Sequence, residues 1–215
     1  MIPRQQSAGT FGILAGISLA ILFFMFFTSG ATPETFTDPA KALPYVSQNA
    51  GRLRAIAAFA VMTVAFAVIF VAGLAAKLRD RTPTRATGVL YFGLLGLVGH
   101  GLSALLFWVG APALADYAAK DQVAASHAWV AINALNTALD GFGNLFTGLS
   151  ILLAGWAIMA TGMMGRTALG WYGVVAGAVT LLATLAPGVM IFFLGSFILP
   201  IIWLLWAGNT LRTAM

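Results

Sequence analysis

In a chain of 215 residues, 60% hydrophobic and only 8% charged, the mean hydropathy of +0.95 lies far above that of a soluble domain. The net charge of +5 sits in short juxtamembrane loops, where anionic lipid headgroups and not nucleic acid are the partner. Zero cysteines exclude disulfides, thiolate metal sites and cysteine nucleophiles.

Lipid is therefore the solvent, and each spanning segment must satisfy its own backbone as a helix or within a closed barrel. The apolar runs are continuous over about 19 to 27 residues, whereas barrel strands alternate over about 10. The sequence predicts an all-α fold in which the whole chain, 1–215, is a single bundle of six transmembrane helices. The spans fall at about 10–29, 53–76, 87–112, 130–159, 168–186 and 189–208.

The first span follows Arg4 and ends near "SGA" at Ser29 to Ala31, which mimics a signal peptide. Its apolar run exceeds the usual length, and cleavage would leave five spans, so it is read as a membrane helix. The segment from Ala31 to Arg52 holds three prolines and mixed charge, and is expected to be an ordered outer loop that caps the bundle. After the second span comes "KLRDRTPTR", whose Lys77, Arg79, Arg81 and Arg85 join Arg4, Arg166 and Arg212 on one side, against Asp80 alone. The other side mixes Lys41, Arg52, Arg54 and Lys120 with Glu34, Asp38, Asp116 and Asp121. The basic excess places both termini in the cytoplasm and the protein in a bacterial inner membrane.

The third span carries Gly88, Gly93, Gly96, Gly99 and Gly101, which smooth two helix faces and permit close backbone approach. The stretch from Ala111 to Trp129 has helical composition and is expected to form an interfacial helix or an extension of the fourth span. Trp129, Trp171, Tyr172, Trp203 and Trp206 lie near span ends and read as interfacial anchors. "APG" at Ala186 to Gly188 reads as a tight turn, and Pro200 should kink the sixth span and free a carbonyl near Ser196.

The fourth span contains the anomaly, "NALNTALDGFGNLFTG". At about 100° per residue, Asn136, Thr137, Asp140, Asn144 and Thr147 fall within roughly 60° of Asn133, on one face. A charge facing lipid at mid-bilayer costs at least about 2.5 kcal/mol, so the face must point inward. Asp140, the sole acidic residue predicted within the hydrocarbon, lies about 15 Å from the outer end of its span. On the antiparallel third span, His100 reaches similar depth, so the two can pair if the spans are neighbours. The plain alternative is that asparagines and threonines bridge helices, each worth about 0.6 kcal/mol, and that Asp140 merely helps them. Ser18, Thr63, Tyr91, Ser103, Thr180, Thr184 and Ser196 are scattered singly, and each hydroxyl can return to its own backbone.

From Gly148 the chain reads "GLSILLAGWAIMATGMMGRTALGWYGVVAGAV", and ahead of the third span "NAGRLRAIAAFAVMTVAFAVIFVAGLAAKLRDRTP". Together these resemble a family of small bacterial six-helix membrane proteins catalogued as a domain of unknown function. The likeness covers most of the chain and implies the six-span architecture, with no activity and no site residues.

Three functions fit these residues. In the first, the seam of Asp140, His100, Asn136, Asn144, Asn133, Thr137 and Thr147 binds or moves a small amphipathic or protonatable ligand, namely a lipid, a quinone or an ion. In the second, the chain is an accessory subunit that packs against a larger respiratory or photosynthetic complex or its pigments. In the third it is a haem or intramembrane redox protein using His100, with His127 as second ligand, although His127 lies nearer the outer surface. The expected partners are membrane lipids and a homo-oligomer or larger complex, with no metal ligand set. Haem, quinone and pigment stay open as cofactors, and no catalytic residue is assigned.

Overall fold

The computed structural model describes residues 2–162, 167–186 and 189–213, and among them every regular element is helical. In order these are α1 (Ile2–Phe27), α2 (Pro33–Thr37), α3 (Pro39–Arg79), α4 (Pro83–Leu105), a π-helical turn (Leu106–Gly110), α5 (Ala111–Ala118), α6 (Gln122–Thr161), α7 (Thr167–Leu185) and α8 (Met190–Thr213). Six of them, α1, α3, α4, α6, α7 and α8, are long and apolar enough to cross a bilayer. Arg166, and Pro187 and Gly188 of the expected "APG" turn, lie outside the described residues.

Two helices are far longer than a span requires. At 1.5 Å per residue the 41 residues of α3 and the 40 of α6 reach about 60 Å, twice the hydrocarbon thickness. Both start on aspartate caps that satisfy first-turn amides lacking a partner within the helix. Asp38 accepts from the Ala40 amide with Pro39 in the first turn, and Asp121 accepts from the Ala124 amide. The expected loop from Ala31 to Arg52 is thus largely helix. Within α3 the break is Asn49, where the backbone turns to φ −111° and ψ 16° and the side chain donates to the Tyr45 carbonyl at 3.0 Å. The stretch ahead of the fourth span provides both expected features, the short α5 and an extension of α6.

The overhanging ends form a cap. Leu43, Val46 and Leu53 of α3, Ala111 and Ala115 around α5, and Ala125 and Trp129 of α6 bury one another, with Phe36 and Phe107 packed against them. Trp129 is 1% exposed and donates its indole N–H to the Phe36 carbonyl, so it is the keystone of the cap and not an interfacial anchor. Trp203 is likewise buried in the bundle, whereas Trp171 is exposed as an anchor should be.

The spanning helices close a ring: α1 lies beside α3, α3 beside α4, α4 beside α6, α6 beside α7, α7 beside α8, and α8 beside α1. Glycines make the closure tight, since a methyl on Gly208 would come within 2.8 Å of the Gly9 carbonyl. Both termini therefore share one end of the bundle, opposite the cap. The main core fills that end, where Phe70, Leu74 and Leu78 meet Ala86, Ile158, Leu169, Trp203 and Leu211. Among the described residues, no cluster of comparable size occupies the ring axis between that core and the cap.

Candidate functional site

The antiparallel pair α4 and α6 is zipped by small residues. A methyl on Gly99 would lie 2.8 Å from the Gly143 amide nitrogen, and one on Gly96 2.9 Å from the Gly143 carbonyl. Two buried hydrogen bonds flank this contact. Ser103 Oγ lies 2.7 Å from Asn136 Oδ1, and Ser150 Oγ donates to the Val89 carbonyl at 2.8 Å. Helix-bridging serines of this kind are ordinary membrane packing.

Between those bonds the two backbones approach closely. His100 lies against Gly143, whose missing side chain leaves the ring its space: a methyl there would fall 2.7 Å from both Nδ1 and Cε1. His100 Nδ1 stands 3.7 Å from Asp140 Oδ1. That is ion-pair range but longer than a hydrogen bond, and among the described residues no hydrogen bond to the Asp140 carboxylate is found. The side chains are 30% and 50% exposed.

Where they point follows from what flanks them. On α6, Asn136, Gly143 and Ser150 touch α4, while Gly141, Gly148 and Gly155 touch α7. At about 100° per residue, Asp140, Asn133, Asn144 and Thr137 fall between these two contacts, on the side of the ring axis. The opposite side carries the exposed Leu135, Phe142 and Trp156. The same reasoning puts His100 opposite the exposed Tyr91, Leu95, Val98 and Leu102 of α4. Both side chains thus point toward the ring axis while keeping partial exposure, on the cap side of the filled core.

The stripe of the fourth span accordingly divides. Asn136 is 8% exposed and is spent on Ser103. Thr147 is wedged against Gly96, and its Oγ1 is buried with no hydrogen-bond partner. Thr137 returns its hydroxyl to the Asn133 carbonyl and is exposed. Asp140, Asn144 and Asn133 remain partly open beside His100. The stripe is therefore not uniform in exposure. Half of the stripe is helix glue and half lines the interior.

Across the ring from α4 and α6 stand α8 and α1. Roughly 16 to 21 residues from the termini end, or about 24–32 Å, Phe193, Phe197 and Phe23 come to the depth of His100 and Asp140. Phe23 packs on Phe197 with ring centroids 5.8 Å apart, and Phe197 on Phe193 at 5.4 Å. Phe193 is 37% exposed although it lies opposite the lipid-side Ile191, Ile198 and Ile202. The sequence does not single out these aromatics, because an apolar residue in an apolar helix carries no signal of which way it faces, and a lone serine such as Ser150 reads as bonded to its own backbone.

His127 lies on α6, 13 residues from Asp140, about 20 Å along the helix, and is exposed in the cap region. It cannot share a haem with His100, and among the described residues no three His, Asp or Glu side chains converge as a metal site. A bis-histidine haem does not fit this chain.

A family model described as a domain of unknown function (DUF4386) matches residues 13–208. The chain belongs to the DUF4386 family. The match takes in the ring, the cap and the His100–Asp140 pair, and the DUF4386 description attaches no activity to any of them. No curated protein and no solved structure matches the chain.

Proposed function

We propose that this DUF4386 protein binds, and in the membrane moves or presents, a small amphipathic or protonatable ligand at Asp140 and His100. The observation that carries the reading is an inward-facing carboxylate, half exposed, with no hydrogen-bond donor on it. An ionised group at that depth is costly unless something completes it, and neighbouring helices have left it incomplete. The accessory-subunit reading gives Asp140 only the task of locking α4 to α6. That lock already exists in Gly96, Gly99, Gly143 and the Ser103–Asn136 bond, so it leaves the carboxylate without a purpose.

The basic excess at the termini end supports an inner-membrane orientation with both termini cytoplasmic and the cap outside. The ligand then enters from the cap side or laterally from lipid. Mass spectrometry of small molecules that co-purify with the wild type and with Asp140→Asn tests the reading. A species retained by the wild type and depleted in the variant is the expected result. Identical profiles from two equally folded proteins would sink it. An absorption spectrum of the same sample reports haem or pigment directly.

A further inference from the structure

We infer that the ligand is an amphiphilic organic cation, an ammonium-like head on an apolar body; this rests on the binding site proposed above. The charge argument comes first. Asp140 is the only carboxylate within the six spans, and no arginine or lysine of the described residues approaches it. Its one ion-pair partner among the described residues, His100, stands at 3.7 Å instead of the ~2.8 Å of a charge-assisted hydrogen bond. The pair therefore does not close on itself, and the open carboxylate selects a positive head.

Shape sets the rest. The wall that bears the carboxylate also carries the amides of Asn133 and Asn144, which can receive a head group but not a hydrocarbon body. The facing wall is Phe23, Phe193 and Phe197, with Phe197 packed against both of the others. Such a wall takes an apolar body, and its faces attract a cation where they are desolvated. A free metal ion would leave the phenylalanines idle. A neutral quinone or an anionic lipid headgroup would leave the carboxylate uncompensated or repelled.

The test uses the intact protein in nanodiscs and two probes of matched shape and opposite charge, tetraphenylphosphonium and tetraphenylborate, with decylubiquinone as a neutral third. In the wild type the phosphonium should bind at least about tenfold more tightly than the borate. Asp140→Asn should abolish that preference, and Phe193→Ala should weaken the phosphonium about three- to tenfold. His127→Ala, remote from the site, should change nothing. If the quinone or borate binds more tightly than the phosphonium and does so through Asp140, the site stands and the cation class is overturned. If no probe binds, or binding ignores Asp140, site and class both fall. The charge preference is read in the wild type, so it decides the class even if Asp140→Asn does not fold.

Discussion

A buried hydroxyl without a partner forfeits its hydrogen bonds to water and gains nothing back. Thr147 Oγ1 is in that state against Gly96, and valine has nearly the same shape without the polar atom. Thr147→Val should therefore stabilise the protein by about 1 kcal/mol, read as a raised midpoint in thermal unfolding in detergent. No gain, or a loss, would mean that the hydroxyl is satisfied by water inside the ring. Asn136→Leu should do the reverse, costing about 1–3 kcal/mol because Ser103 is left buried and unpaired. Asp140 and Asn136 share one polar face of the fourth span. What separates them is where the neighbouring helices lie around α6. The period of a helix places residues on a common face, but only the partners decide which part of that face is glued and which is open.

Helix pairing turns on which atoms a glycine faces. Gly99 meets the backbone of Gly143, so a methyl there must push α4 and α6 apart, whereas Gly88 closely meets the tip of Leu153, a side chain that can rotate away, and touches the Phe92 ring at ordinary contact distance. Gly99→Ala should cost about 1–3 kcal/mol and Gly88→Ala almost nothing, since alanine gains about 1 kcal/mol in helix propensity to set against a small repacking. Thermal melts of the two variants side by side check this, and equal destabilisation would contradict the register. Much of the element layout was legible: six apolar runs became six long helices, and the depth count along the third and fourth spans placed His100 level with Asp140. The cap was harder to read. Pro33, Pro39 and Pro44 suggested a loop, but Asp38 and Pro39 together make a helix start, and the α3 extension needs the α5 and α6 surfaces to bury its apolar face. Trp129 was misplaced for the same reason, because an aromatic at a span end reads as an anchor until a second layer covers it.

For the molecule as a whole, a ring with its main core at one end and a cap at the other has a sidedness that charge and chemistry can report. Arg79, Arg81, Arg85 and Arg212 gather at the end where the core is packed and the termini lie. The cap end mixes Lys41, Arg54 and Lys120 with Asp38, Asp116 and Asp121. Because the chain has no cysteine, single cysteines report position without background. In intact cells a membrane-impermeant maleimide should label Lys120→Cys and should reach Arg79→Cys only after permeabilisation. Thr137→Cys, on the axis side of α6 below the cap, should react from the same side as Lys120→Cys but more slowly, since the reagent must pass α2, α5 and the bent start of α3. Excess tetraphenylphosphonium should slow it further while leaving Lys120→Cys untouched. Labelling of Thr137→Cys only from the Arg79 side would reverse the direction in which the ring opens, because the packed core between Phe70, Ile158 and Trp203 leaves no route through that end.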